Sequence, residues 1–245
     1  MVWGRWGGTN RGAAGPTGAT KRVPSEPQTA NELLARAWDV AGLTLGELGA
    51  RVGVEVPDEA ARAKGIAGQI LEKTLGATAG SRAEPDFVTL GIELKTIPLD
   101  ATGRPKESTF VCSISLSAMA DTDWEGSTVL KKLARVLFVP VEAASKTPLR
   151  DRRVGRAYCW SPNAEEQELM RADWERLALM IATGDVEQIT GHLGEVLQVR
   201  PKAPHGRSRR RAPDEEGAVQ WTMPRGFYLR PAFTQAVLAR LRAEE

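Results

Sequence analysis

The stretch EPDFVTLGIELKTIPLD, residues 84–100, combines the apolar content of a buried strand with the charged residues Asp86, Glu93 and Lys95. In an extended strand alternate side chains share a face, so Glu93 and Lys95 point to the same side. Asp86 has the other parity and follows Pro85, so it can join this pair only if the chain turns or bends in between. The stretch therefore predicts a strand over residues 87–97 with a charged pair on one face.

Two interpretations of this charged strand stay open on the residues alone. Exposed strand faces are routinely charged, so the pair fits an ordinary strand with one solvated face. Alternatively, two carboxylates supply the hard oxygen ligands that Mg²⁺ prefers, and a lysine beside them can offset the negative charge of a phosphodiester in its transition state. The second interpretation predicts a phosphodiester-cleaving site.

The composition narrows the class of protein. The chain has 245 residues, 42% of them hydrophobic and 26% charged, which is typical of a globular protein. Two cysteines and two histidines exclude a disulfide framework and a structural zinc site, so any metal must be a hard cation held by oxygen. The N-terminus has no signal-peptide core, and no apolar run reaches membrane-spanning length, which predicts a cytoplasmic protein.

Composition also divides the chain into a tail and an ordered part. Residues 1–27 are rich in Gly, Arg, Thr and Pro and are predicted to be a flexible tail, whereas residues 28–245 are predicted to form a single domain. The formal net charge of +2 is too small to indicate a polyanionic partner by itself. The basic run HGRSRRR, which includes Arg207–Arg211, is either a flexible loop that adds salt-dependent DNA affinity or a solvated run partly neutralised by nearby acids.

Periodicity and capping signals indicate a mixed α/β fold, with helices around one central sheet. Helices are predicted after the capping residues Thr29, Thr44 and Asn163, over residues 57–76, and in the C-terminal run PAFTQAVLARLRAEE. Besides the opening strand, strands are predicted over residues 109–116, 135–141, 157–162, 195–202 and 226–230.

Longer segments closely resemble the MutH family of DNA mismatch-repair endonucleases. The resemblance runs in order from residue 30 to residue 243 and is carried by LTLGELGARVG, KGIAGQILEKTLGATAGSRAEPDFVTLGIELKTIPLDATGRPKESTFVC, RVLFVPVEA, RRVGRAYCWSPNAEE, GEVLQVRPKA and PRGFYLRPAFTQAVLAR. It implies the restriction-endonuclease-like fold, in which a central mixed sheet is flanked by helices and two lobes enclose a DNA-binding cleft. It also implies an enzyme that nicks the unmethylated strand at hemimethylated GATC sites and leaves 5′-phosphate and 3′-hydroxyl ends.

The resemblance assigns roles to residues of the charged stretch and its surroundings. Asp86, Glu93 and Lys95 take the catalytic positions, with Glu72 as an additional active-site carboxylate and Lys132 as an additional active-site lysine. The three carboxylates would hold Mg²⁺, and Mn²⁺ or Ca²⁺ would be able to substitute for binding.

The resemblance also implies that a second group of residues contacts double-stranded DNA. Arg200, Lys202 and Tyr228 match positions that contact the target site, with the tyrosine tied to sensing the adenine methyl group. Phe110 matches another DNA-contacting position, and Lys64 a basic position near the DNA backbone. Arginine can bond guanine O6 and N7 together in the major groove, which suits Arg200 to reading a base.

The family further implies partners and leaves two rival functions open. MutL would activate the protein downstream of mismatch detection by MutS, and a monomer with a single site would suit nicking of one strand. A restriction endonuclease of the same superfamily would instead cut both strands. A DNA-binding protein without catalysis would keep the fold for recruitment alone.

Overall fold

The computed structural model describes residues 24–58, 65–80, 82–202, 209–214, 216 and 218–244. Helices and strands are interspersed along this part of the chain, which confirms the mixed α/β class. Its helices are α1 (Ala30–Asp39), α2 (Leu45–Val52), α3 (Ile66–Leu75), α4 (Thr128–Leu133), α5 (Ala164–Ala182) and α6 (Pro231–Ala243). Its strands are β1 (Glu93–Leu99), β2 (Thr109–Ser113), β3 (Val136–Glu142), β4 (Tyr158–Trp160), β5 (Leu197–Pro201), β6 (Arg210–Pro213), β7 (Val219–Thr222) and β8 (Arg225–Leu229). Residues 1–23 of the predicted tail and the predicted DNA contact Lys64 lie outside the described residues.

Capping side chains begin α1, α2 and α5 at the predicted residues. Thr29, Thr44 and Asn163 each accept the backbone N–H of the residue three positions later. In α2 and α5 the glutamate at that later position also accepts the N–H of the capping residue, so the capping box is complete. Each helix in the described part of the chain is too short or too polar to cross a membrane.

Two helices differ from the predictions. Within the described residues, the third helix begins only at Ile66, because Gly65 before it has the left-handed conformation with φ 80°. Helix α4, in which the Ser127 side chain accepts the Leu130 N–H, has no counterpart among the predicted elements. At six residues it is shorter than most helices that periodicity can detect.

The described strands form three small sheets, so the prediction of one central sheet is only partly confirmed. In the first sheet β3 pairs parallel with β1 and antiparallel with β4. In the second, β8 lies between β2 and β5 and is antiparallel to both, while β6 and β7 form a separate hairpin. The register of β2 shifts between Phe110 and Cys112, and the carbonyl of the residue between them accepts a hydrogen bond from the Lys95 ammonium. A side chain rather than a continuous ladder therefore joins the first two sheets here.

The charged opening stretch contains a turn where a strand was predicted. Val88–Leu90 form a short 3₁₀ helix, and Phe87 and Ile92 exchange backbone hydrogen bonds of 2.9 and 3.2 Å across it. Gly91 ends the turn with φ 63°, a conformation that glycine adopts without steric cost. The strand therefore begins at Glu93, and the prediction is wrong for residues 87–92. The next strand is also shorter than predicted, because it ends at Ser113.

The basic residues near the end of the chain are placed in a hairpin. Arg210 and Arg211 lie in β6 and are exposed, so the first of the two alternatives for the basic run, a flexible loop, is wrong for these two residues. The Arg211 guanidinium lies 5.5 Å from the centroid of the Trp221 ring on β7. Residues 203–208 lie outside the described residues, so the rest of the basic run is not placed.

Two hydrophobic clusters lie on opposite faces of the first sheet. Strand β3 alternates between them: Leu137 and Val139 pack with α1, α2 and α3, whereas Val136 and Phe138 pack with α5 and α6. The charged pair of β1 shares a face with Ile97, which belongs to the second cluster. This parity turns the pair towards β2 and the second sheet.

Candidate active site

Asp86 is brought back to β1 by the turn that precedes the strand. Its Oδ2 accepts the Leu94 N–H at 2.8 Å. Its backbone carbonyl accepts two further hydrogen bonds, from the N–H groups of Thr78 and Ala79 at 3.0 and 3.2 Å. The main chain and the side chain of Asp86 are thus both held, and the turn that Asp86 needs in order to reach β1 is present.

Glu93 lies between two lysines. Its Oε1 accepts a hydrogen bond from Lys95 Nζ at 2.7 Å, and its Oε2 accepts one from Lys132 Nζ at 2.8 Å. The Glu93 side chain is only 4% exposed, and those of Lys95 and Lys132 are 10% and 12% exposed. Lys132 Nζ also donates to the Glu84 carbonyl at 3.0 Å, which ties α4 to the chain just before Asp86. The interpretation of an ordinary strand with a solvated face is therefore wrong for this pair.

Glu72 adds a third carboxylate from α3. Gly68 lies one turn earlier on the same helix, where a Cβ would be in ordinary van der Waals contact with Glu72 Oε1, at 3.7 Å. Burial, followed by the negative charges of Asp86 and Glu93, raises the pKa of Glu72 above its ordinary value. Burial, followed by the charge of Glu93, likewise raises the pKa of Asp86. The three carboxylates therefore repel one another in a partly buried space, and a cation would relieve that repulsion.

The charge and donor chemistry of this group suit a hard divalent cation. Three carboxylates face two ammonium groups, so three negative charges against two positive ones leave one net negative charge. Carboxylate oxygens are the ligands that Mg²⁺ prefers. Among the described residues, no three His, Cys, Asp or Glu side chains lie close enough together to enclose a metal ion. Because both carboxylate oxygens of Glu93 accept hydrogen bonds from lysines, a metal held by Glu93 would replace one of those hydrogen bonds.

The predicted DNA-contacting residues gather around Phe110 on the second sheet. Phe110 and Tyr228 are cross-strand partners in β2 and β8, and their ring centroids lie 5.3 Å apart in an edge-on arrangement. Lys202 Nζ lies 3.5 Å from the centroid of the Phe110 ring, and Lys95 Nζ lies 5.9 Å from it. One aromatic ring therefore contacts both the predicted catalytic lysine and the predicted DNA-binding residues.

Arg200 is exposed near the end of β5 and is oriented by a serine that the sequence did not single out. Arg200 Nη1 donates to Ser108 Oγ at 3.2 Å, and Gln198 Nε2 donates to the same oxygen at 2.6 Å. Gln198 is buried, so the hydroxyl that holds Arg200 is itself fixed. Ser108 lies 92 positions from Arg200, and no local pattern around it indicates this contact.

The predicted site residues that the structure describes form two adjoining groups. The first contains the five predicted catalytic residues Glu72, Asp86, Glu93, Lys95 and Lys132. The second contains the four predicted DNA-binding residues Phe110, Arg200, Lys202 and Tyr228. An acidic group that suits a divalent cation thus adjoins an aromatic and basic surface that suits nucleic acid.

Comparison with known proteins finds the same family by a family model and by individual relatives. Residues 75–173, which include Asp86, Glu93, Lys95 and Lys132, match the family model described as DNA mismatch repair enzyme MutH. The chain is 49% identical over 218 residues to the DNA mismatch repair protein MutH of Serratia proteamaculans, covering 89% of this chain and 96% of the relative. It is 50% identical over 217 residues to the protein of the same name from Yersinia enterocolitica, covering 89% and 95%. For that of Escherichia coli (strain K12) the identity is 50% over 216 residues, covering 88% and 94%.

Proposed function

The chain belongs to the MutH family of DNA mismatch repair enzymes, and from this premise we propose that it is a Mg²⁺-dependent endonuclease that nicks the unmethylated strand at hemimethylated GATC sites. The observation that supports this most is the buried contact of Glu93 with two lysines, close to Asp86 and Glu72. In a protein that only bound DNA, carboxylates held near the phosphate backbone would weaken that binding, because like charges repel.

In this proposal Asp86, Glu93 and Glu72 would hold the metal, once Glu93 exchanged one of its lysine contacts for the cation and the three side chains drew closer together than they lie in the structure. Bound Mg²⁺ would lower the pKa of a coordinated water and neutralise charge on the scissile phosphate. Lys95, whose ammonium lies 2.7 Å from Glu93, orients the attacking water and offsets the negative charge that develops on the phosphate. Lys132 bonds the other oxygen of Glu93 and so fixes the orientation of that carboxylate. The products are a 5′-phosphate and a 3′-hydroxyl.

The proposal extends to the fold and the number of sites. Residues 28–245 would form one restriction-endonuclease-like domain, in which two lobes enclose the DNA in a cleft. This is supported by the charged pair of β1, which is turned towards β2 and the second sheet, where the predicted DNA-contacting residue Phe110 lies. A monomer of this kind has, within the residues that the structure describes, one set of predicted catalytic carboxylates, which suits cleavage of one strand.

Sequence and methylation are read by the second sheet in this proposal. Arg200 bonds guanine O6 and N7, and Lys202 contacts the DNA beside it. Tyr228 packs with Phe110 where the adenine N6 group would lie, so that an added methyl group is sensed by shape. Burial is the main cause that raises the pKa of Tyr228, so its hydroxyl is neutral near pH 7. Lys64 would contact the backbone, MutL would activate the enzyme after mismatch detection by MutS, and the protein would act in the cytoplasm.

The test uses one GATC duplex in unmethylated, hemimethylated and fully methylated form, each with Mg²⁺ or with EDTA. We expect nicks in the unmethylated strand only, no cleavage of the fully methylated duplex, and no cleavage in EDTA. Strand-specific labels and a denaturing gel report the cut strand, and parallel reactions with MutL report activation. Double-strand cuts at all three duplexes would instead indicate a restriction endonuclease. Retention of DNA without any cut would indicate a binding protein.

Replacing Arg200 tests the recognition surface separately from the chemistry. Arg200→Ala is expected to cost about 1–3 kcal/mol of discrimination against sites with a changed guanine, because a bidentate contact to the base is lost. The nicking rates of GATC and of single-base variants of it give this discrimination. Arg176→Ala, which removes an exposed arginine of α5, is the control and should leave the ratio of rates unchanged. A wild-type ratio for Arg200→Ala would remove this residue from base recognition.

A further inference from the structure

Residues 24–28, which we call the strap, lie against the end of α3. Gly76, which follows this helix, has φ 86°, and a Cβ on it would lie 2.5 Å from the Ser25 carbonyl oxygen. The Arg36 guanidinium donates to the Ser25 carbonyl at 2.7 Å and to the Leu75 carbonyl at 3.3 Å. The strap is therefore fixed to the C-terminal end of the helix that carries Glu72.

Glu26 connects the strap to both sides of Asp86. Its Oε1 accepts the Thr89 N–H at 2.8 Å, within the turn that follows Asp86. Its Oε2 accepts from the Thr78 hydroxyl at 2.7 Å, and the N–H of the same threonine donates to the Asp86 carbonyl at 3.0 Å. The Glu26 carboxylate thus has two contacts. One is to Thr78, which is hydrogen-bonded to the Asp86 backbone, and the other is to the turn that directs Asp86 towards β1.

The Glu26 carboxylate is suited to this role because it stays ionised. Burial acts to raise its pKa, but the hydrogen bonds from Thr78 and Thr89 outweigh burial and leave the pKa below its ordinary value. An ionised carboxylate accepts stronger hydrogen bonds than a neutral group does. The two contacts span 63 and 52 positions of the chain, so they bring together segments that are distant in sequence.

We propose that Glu26 is a positioning residue for the metal-holding carboxylates, and that the strap sets the distance between Asp86 and Glu72. This inference rests on the proposed function, because the spacing of these carboxylates matters only if they hold a cation together. Glu26 itself does not touch the metal or the DNA in this proposal. It acts through the turn at Thr89 and through Thr78, which hold the Asp86 main chain.

The experiment compares the full-length Glu26→Ala variant with wild type and with Glu47→Ala. Glu47 is a matched control, because it also accepts one backbone N–H and one threonine hydroxyl, both from Thr44. It lies at the start of α2, away from the strap, so its loss should affect stability alone. We expect Glu26→Ala to bind Mg²⁺ about tenfold more weakly by calorimetry, as is usual when a residue that orients metal ligands is removed. Glu47→Ala should bind Mg²⁺ like wild type.

Two further measurements separate positioning from a general loss of stability. Hydrogen exchange of the Leu94 amide, which bonds Asp86 Oδ2, should become faster in Glu26→Ala and stay unchanged in Glu47→Ala. The Mg²⁺ concentration for half-maximal nicking should rise about tenfold, while the rate at saturating Mg²⁺ stays within about twofold. Glu26→Gln should lie between wild type and Glu26→Ala, because its amide can keep the hydrogen bonds to the Thr89 N–H and the Thr78 hydroxyl but lacks the charge that strengthens them.

The outcomes distinguish this inference from the proposed function. Wild-type protein that binds Mg²⁺ but cuts none of the GATC duplexes would overturn the proposed function, and the calorimetry would still decide the role of Glu26. A Glu26→Ala variant with wild-type Mg²⁺ affinity and wild-type Leu94 exchange would overturn the inference, as would equal losses in Glu26→Ala and Glu47→Ala. A Glu26→Gln variant as weak as Glu26→Ala would also overturn it.

Discussion

The Asp86→Asn variant is expected to nick DNA more slowly than wild type by a factor on the order of 10³, because it loses a negatively charged ligand for the cation that stabilises the transition state. The asparagine can still accept the Leu94 N–H that Asp86 Oδ2 accepts at 2.8 Å, so the turn should stay folded. The substitution also removes the one net negative charge of the acidic group, which lowers its attraction for any divalent ion. Single-turnover nicking of the hemimethylated duplex measures the effect.

The matched control is Asp100→Asn, at the other end of β1. Asp100 also holds a turn, since its Oδ1 accepts the N–H groups of Thr102 and Arg104 at 2.8 and 3.1 Å. This variant should nick at the wild-type rate. Retention of DNA by Asp86→Asn in Ca²⁺, measured by gel shift, should stay close to wild type. Equal nicking rates for the two variants would contradict the placement of the metal at Asp86.

Loss of Glu93 should destabilise the protein as well as inactivate it. Glu93→Ala leaves the ammonium groups of Lys95 and Lys132 mostly buried without the carboxylate that bonds both. Breaking a buried ion pair from one side costs about 3–5 kcal/mol of unfolding free energy, since the remaining charge is uncompensated. Urea unfolding measures this loss, and the nicking assay should show no activity above background.

A double variant separates the two effects. Adding Lys132→Met to Glu93→Ala removes one of the two uncompensated charges, so part of the lost stability should return while nicking stays absent. Glu142→Ala, at the end of β3, is the control for removing a strand glutamate. Because Glu142 is only half-buried and its hydrogen bonds to Thr147 and to Arg153 are long, at 3.4 and 3.5 Å, its loss should cost about 1 kcal/mol or less. An equal loss from both glutamates would show that the buried charges are not what makes Glu93 important.

The part of the site that lies within one strand could be predicted from sequence, because side-chain parity in a strand has a period of two. Glu93 and Lys95 share a face as predicted, and their ammonium and carboxylate are in contact. Asp86 could be placed only conditionally, since its position depends on a turn that closes through backbone hydrogen bonds and the left-handed Gly91. The wrong strand over residues 87–92 has the same origin: apolar content indicates burial but does not distinguish a strand from a buried turn.

Contacts between distant segments were beyond what local patterns can indicate. Lys132 sits in a run that resembles any exposed basic helix, and its bond to Glu93 spans 39 positions. Only family resemblance pointed to it. Ser108 was missed for the same reason, because hydroxyls are common and its partners lie elsewhere in the chain. Glu26 was missed because residues 1–27 were predicted to be a flexible tail, and that prediction is wrong for residues 24–27, which the contacts of Ser25 and Glu26 fix. The β6–β7 hairpin was missed because a run of arginines hides the alternation of two four-residue strands.

The alternation of β3 has a consequence for dissecting the molecule. Leu137 and Val139 on one face and Val136 and Phe138 on the other are all 0% or 1% exposed, so both faces of this strand are dry. Suppose that the chain were cut into two fragments, one for each hydrophobic cluster. The fragment that kept β3 would expose one face of the strand to water, and the other fragment would lose the surface against which it folds. Neither part can be studied as an autonomous unit.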